Sequence, residues 1–444
     1  MPEHEPLSRW REVHTRATLF DLHAHPIFKP FFVRRSLRRP MWAPSSWAGI
    51  FNPLTVQTSF ANLDRVGVDV MLSTAYPLEK RIFQDVKAFK LIPLKLIRYL
   101  PFSLARDLWN GVVEPPYFTV TTAMLDTIEE EVRRYNQKLA RRGLPARRVR
   151  FATSSGELKS ILSESDPPIV LVHSIEGGHS LEGAAGLRHI EDDWGSLSSS
   201  IRQEIADEIF ANLEILARRG VAYIMPAHFY PNRLMMSTFP YPENVALSHL
   251  SRKTFEKLQE EIDPAEGATD LGKETIRRML DLGILIDVTH ASPRGRRDIY
   301  EIVESSGVGR PSVIATHVGA YAINPSPYNL EDWEIKWIAD HGGVVGVIFM
   351  TYWLMPSATK LGINYISRTI EHLAAVGGED VVGLGTDFDG ADPPDDLVDS
   401  EQMPLLTQRL FAEYTAGGRK YSDAQIEKFL GGNALRVLLE GWRT

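Results

Sequence analysis

Eight short runs of apolar and β-branched residues, each closing on a polar or glycine-rich turn, recur along the 444-residue chain, and they constrain its fold more than any other feature. They are TLFDLHAHP (18–26), VDVMLSTAYP (68–77), PIVLVHSIEGG (168–178), VAYIMPAHFYP (221–231), ILIDVTHAS (284–292), SVIATHVGA (312–320), GVVGVIFMT (343–351) and VVGLGTDFDG (381–390). Continuous apolar runs of this length read as strands buried on both faces, the mark of a parallel sheet. Between most of them lie stretches with charged faces and helical periodicity, among them 199–220, 271–283, 294–307 and 365–378, several ending in glycine as helices commonly do. Eight strand and helix alternations predict an α/β fold, a (β/α)8 TIM barrel. No composition break divides the chain, so the expectation is one barrel domain over 1–444, with a long insertion after the second strand at about 78–166 and a C-terminal helical extension at about 400–444. The extension includes YSDAQIEKFLGGNALRVLLE, with a capping pattern at Ser422 and Gln425.

Composition narrows the function. With 43% hydrophobic and 24% charged residues the chain can bury a sizeable core. A formal charge of -8 gives no reason to expect a nucleic-acid partner, since phosphate binding needs a concentrated excess of Lys and Arg. There are no cysteines, which excludes disulfides and thiolate metal sites, so any metal must be held by His, Asp and Glu. The N-terminal residues are polar where a signal peptide needs an apolar core, and no stretch reaches the roughly 20 apolar residues of a membrane span, which predicts a cytoplasmic protein. Residues 87–109 mix Leu, Ile and Phe with Lys90, Lys95, Arg98 and Arg106. With Pro93 and Pro101 interrupting any long helix, we read them as an apolar face packed on the body rather than a membrane patch. Whether 78–115 forms a lid, a homodimer contact or a membrane patch stays open.

Six of the eight strands close on a His, Glu or Asp: His23 and His25 on the first, Glu176 on the third, His228 on the fourth, His290 on the fifth, His317 on the sixth and Asp387 on the eighth. In a barrel the C-terminal strand ends face one mouth, so these side chains are expected to converge. Residues i and i+2 on a strand point the same way, which lets His23 and His25 chelate one ion. A single His at a strand end is commonly structural; the joint pattern is what argues for a site. Imidazoles and carboxylates without thiolate suit zinc or a similar divalent metal. Three His and a carboxylate would fill one site, while His23, His25, His290, His317, Glu176 and Asp387 suffice for two ions sharing Glu176. Two such ions can deprotonate a bridging water and polarise a carbonyl, which is hydrolytic chemistry. His173, His179, His341 and His372 are read as structural or supporting, His179 beside Glu176.

The segments SIEGGHSL, AHFYPN, LGILIDVTHAS, VIATHVGAY and, most specifically, VGLGTDFDG resemble the membrane (renal) dipeptidase family of the amidohydrolase superfamily, and GGNALRVL is similar to its closing helix. The likeness follows the family order over most of the chain and is thin over 27–66 and 78–150. It implies a binuclear zinc site that cleaves the peptide bond of dipeptides by a metal-bridging hydroxide. Carried over, His23 binds one metal, Glu176 bridges, and His290 and His317 bind the second. His228 contacts the scissile carbonyl in an oxyanion-type role and Asp387 passes the proton from water to the leaving amine. Two departures stand out. His25 replaces the family's aspartate, making the site one charge more positive. Eleven residues after His317, where the family has an arginine for the substrate carboxylate, this chain has Tyr328. Arg233 is the candidate to supply that charge from another loop, and the basic run FVRRSLRRP (32–40) is read as surface charge. The alternatives are a hydrolase of the same superfamily acting on a non-dipeptide amide, an ester or a lactone, and a non-catalytic binding protein on the same fold. A phosphoesterase is disfavoured, because that chemistry calls for more cationic groups.

Overall fold

The computed structural model describes residues 9–38, 55–85, 109–240, 250–354, 362–415 and 418–443. Residues 86–108 of the insertion, with nearly all of the 87–109 segment, and the end of the basic run at 39–40 lie outside the described residues. Each of the eight predicted runs contains a strand: β1 Leu19–Ala24 and β2 Val68–Ala75, then, after a short β3 Val149–Phe151, β4 Ile169–Glu176, β5 Val221–Met225, β6 Leu285–Asp287, β7 Val313–Val318, β8 Val345–Ile348 and β9 Val382–Gly385. They form one sheet in the order β1-β2-β4-β5-β6-β7-β8-β9, and the neighbouring pairs β1/β2, β5/β6, β7/β8 and β8/β9 are parallel. Chain order and sheet order coincide, with helices between the strands, so the predicted (β/α)8 barrel is the fold found. β3 was not foreseen. It pairs parallel with β4 off the main path, and three residues reading Val-Arg-Phe carry no usable periodicity.

The chain forms two compact units. Unit 1 comprises Met1–Thr74, Thr127–Ser174 and Gly309–Thr444; unit 2 comprises Ala75–Asp126 and Ile175–Val308. In unit 1 the end of β1 lies along the residues after β9: Asp387 N–H donates to the His23 carbonyl at 2.9 Å and His25 N–H to the Phe388 carbonyl at 2.8 Å. Helix Ile363–Gly377 buries Ile366, Ile370 and Leu373, spaced three and four apart, and packs on helix Asp332–Asp340. The capping box predicted near the C-terminus is present, with the Gln425 amide N–H bonded to the Ser422 hydroxyl and the Gln425 side chain accepting from Ser422 N–H.

In unit 2, helices Ser199–Arg218, Asp270–Leu282 and Pro293–Ser306 start on the hydroxyl caps Ser198, Thr269 and Ser292, and each turns an apolar stripe inward. The cap Ser292 stands two residues after His290, so helix initiation and placement of that histidine are one local event. No helix among the described residues is long and apolar enough to cross a membrane.

Candidate metal centre

In unit 1, three strand-end side chains converge. His23 and His25 alternate along the end of β1, both buried, with their Nε2 atoms 3.0 Å apart. Asp387 Oδ1 lies 3.4 Å from His25 Nε2 and 3.8 Å from His23 Nε2. A tetrahedral ion with bonds of about 2.0–2.1 Å separates its ligand atoms by about 3.3 Å, so these three donors are spaced as the edges of a coordination sphere are. His317, at the end of β7, stands against His23 with ring centroids 3.8 Å apart. His23 Nδ1 faces the hydroxyls of Thr74 and Thr316 at 3.4 and 3.5 Å, which leaves Nε2 as the atom turned to His25. This outer shell is what orients a ligand histidine.

The backbone around Asp387 is built for this placement. Asp387 has φ of 57° and Asp389 of 65°, left-handed values uncommon for non-glycine residues. The glycine closing TDFDG is required for a different reason: a Cβ on Gly390 would collide with the His25 ring and the Asp387 carboxylate. Asp389 is structural, its carboxylate accepting from Gln57 N–H, Thr58 N–H and, at 2.6 Å, the Thr58 hydroxyl. Asp21, two residues before His23, escaped the sequence reading. It accepts from His23 N–H, Thr386 N–H and the Thr386 hydroxyl, the last at 2.6 Å, and so ties β1 to the segment carrying Asp387. Burial pushes its carboxyl up to about 7 against the pull of those bonds. Its signal was its place on the same strand face as the two histidines.

In unit 2 a second set forms. Glu176 ends β4, and its Oε1 is 3.3 Å from His290 Nε2 and 3.5 Å from His228 Nε2. His290 also has left-handed backbone, with φ of 65°. Burial, helped by the neighbouring His228 and opposed by Glu176, pushes the His290 imidazole down to about 4, which keeps it in the neutral form that binds a metal. Gly177, in the turn after Glu176, has φ of 87°, and a Cβ there would meet the His179 ring. His179 itself bonds the Pro77 carbonyl at 2.7 Å.

Glu79 is the residue of this set that sequence reasoning missed. It is buried, and its Oε1 accepts from His228 Nδ1–H at 2.9 Å and from Phe229 N–H at 3.1 Å, while Oε2 accepts from the Tyr76 hydroxyl. Burial raises the Glu79 carboxyl, but the imidazoles of His228 and His179 and the bonds from His228 and Tyr76 outweigh it and leave the group at about 2. A single acid four residues past a strand carries no sequence signal beyond itself.

Neither candidate for binding a substrate carboxylate joins these sets. Arg233 is enclosed: its guanidinium donates to the Glu182 carboxylate and the His189 carbonyl, with its side chain 10% exposed. A buried Glu182 needs that cation, and the pairing spends it. Tyr328 is 1% exposed, stacked on Trp353 at 3.6 Å, and its hydroxyl donates to the His317 carbonyl at 2.8 Å. Tyr328 therefore supports His317 from behind.

Nitrogen and carboxylate donors at these spacings fit zinc or a similar divalent ion, and the architecture is that of a (β/α)8 barrel. Residues 232–441 match the model of the membrane dipeptidase family, peptidase family M19. That stretch carries His290, His317 and Asp387. A Klebsiella pneumoniae protein described as an uncharacterized protein in the pqqA 5′ region is 35% identical over 184 residues, 41% of this chain and 64% of its own length. An uncharacterized dipeptidase of Schizosaccharomyces pombe is 31% identical over 176 residues, 39% of this chain and 40% of its own. The chain thus spans less than two thirds of either relative. A metallopeptidase from Rhodobacter sphaeroides, solved with a phosphinate mimic of the dipeptide L-Ala-D-Ala, shares the fold at TM-score 0.63 and 20% identity, over 96% of this chain and 99% of that one.

Proposed function

We propose that this chain is a binuclear metal-dependent hydrolase that cleaves the peptide bond of small substrates, dipeptides first among them. The observation that carries this reading is the pair of buried clusters, His23/His25/Asp387 with His317 beside them and Glu176/His228/His290, within which His23, His25, His317, Glu176 and His290 are the donors we assign to metal. They offer enough donors for two divalent ions, and zinc is the ion we assign. When bound, such ions supply Lewis acidity that polarises a carbonyl and lowers the pKa of water. The chain's own residues do the rest. With Nδ1–H held by Glu79, His228 acts as an imidazolium, turning Nε2–H toward the carbonyl oxygen and donating to it as charge develops there, and Asp387 accepts a proton and returns it to the leaving amine. The family match over 232–441 and the dipeptide mimic held by the Rhodobacter relative support a dipeptide as the substrate.

One observation favours a second reading. Arg233 and Tyr328 are both engaged elsewhere, which favours a substrate without a free carboxylate, such as another amide, an ester or a lactone. The deciding experiment uses purified, zinc-loaded protein of measured metal content with a panel of L,L- and L,D-dipeptides, N-acyl amino acids and esters. Free amino acids released from dipeptides support the first reading. Turnover of acyl compounds or esters alone supports the second. A protein that takes up no divalent metal sinks both.

A further inference from the structure

We propose that Glu79 is a positioning residue, which holds the Nδ1–H of His228 and thereby presents the Nε2–H of that ring, as an imidazolium, to the reacting carbonyl. The proposal rests on the hydrolase reading for the reaction, but its geometry stands by itself within unit 2. An ionised carboxylate can only accept, so the 2.9 Å bond to Glu79 Oε1 puts a proton on Nδ1 and settles which edge of the ring faces Glu176 and His290. The ring plane is fixed as well: Phe229 stacks on it with centroids 3.9 Å apart at 19°, and Tyr76 lies 4.2 Å away on a tilted plane. Ring stacking leaves a histidine free to exchange its two edges; the carboxylate removes that freedom.

Glu79 is itself held by what it does not share with His228. Its remaining bonds come from Phe229 N–H, in the loop after β5, and the Tyr76 hydroxyl, just past β2, so the ends of two strands aim one carboxylate at one nitrogen. Among the described residues Glu79 belongs to none of the sets that could hold an ion. Its role is therefore exercised through His228, in the manner of a carboxylate that orients a catalytic histidine.

The test compares the zinc-loaded 444-residue chain with its Glu79→Gln, Tyr76→Phe and His228→Asn variants. With 15N-labelled histidine, the parent should show a far-downfield Nδ1–H proton resonance, assigned by its disappearance in His228→Asn. Glu79→Gln should lose or shift it strongly and Tyr76→Phe should keep it. In the same samples Glu79→Gln should keep its metal content and cooperative melting while kcat for the hydrolysed substrate falls about 100-fold and KM stays within about twofold. The dissociation constant of a phosphinate dipeptide mimic should rise by a similar factor. A parent protein lacking the resonance, a resonance unmoved in Glu79→Gln, a loss confined to KM, or a drop in bound metal would each overturn the assignment. If the parent hydrolyses nothing, the hydrolase reading fails, while the resonance still decides whether Glu79 sets the edge of His228.

Discussion

At the scale of single residues, Asp387 and His290 separate two roles that share one kind of backbone. Both sit in left-handed conformations at strand ends, which is where strain is tolerated when it places a working side chain. On the proposed reading, Asp387→Asn keeps an oxygen near His25 but loses the proton acceptor. We expect unchanged metal stoichiometry and kcat lowered by about 10²- to 10⁴-fold, read from metal analysis and steady-state kinetics on one sample. His290→Ala and Glu176→Ala remove donors instead, so bound metal and activity should fall together. Gly390→Ala forces a methyl into the His25 ring and the Asp387 carboxylate. It should cost about 1–3 kcal/mol, visible as a lower denaturant midpoint, and reduce activity further than that loss alone would. His23, His25, Glu176, His290, His317 and Asp387 were legible because each closes an apolar run. Glu79 and Asp21 were not, because each acts on a residue that only folding brings to it.

At the scale of elements, helix starts could be read because caps and apolar spacing are local. Helix Pro293–Ser306 is the informative case: the Ser292 hydroxyl accepts from Gly295 N–H at 2.9 Å and donates to the Glu266 carbonyl at 2.5 Å. Ser292→Ala should destabilise the protein by about 1–2 kcal/mol and weaken metal retention, since the cap adjoins His290. Ser422→Ala removes the capping box near the C-terminus at a cost of about 1 kcal/mol and should leave metal retention unchanged. Thermal melts with and without added zinc distinguish the two. β3 shows the limit at this scale, because it exists only through its pairing with β4.

At the scale of the whole molecule, ion binding and stability should be linked. Chelation should lower the melting temperature and added zinc restore it in a concentration-dependent way, the gain being about 2.7 kcal/mol at a free ion concentration 100 times the dissociation constant. A melting temperature indifferent to chelator would mean that the donor sets hold no ion. The sequence by itself determined the barrel, because eight apolar runs alternating with amphipathic helices have few other ways to bury their surfaces. It also determined which strand ends carry the imidazoles and carboxylates. Only the tertiary structure decided what else those side chains touch. Arg233 is spent on Glu182 and Tyr328 on the His317 carbonyl, whereas Glu79 reaches His228 across 149 positions of chain. The physical reason is that burial and periodicity are written in neighbouring residues, but a hydrogen bond to a buried charge is chosen from whatever the fold brings within 3 Å or so.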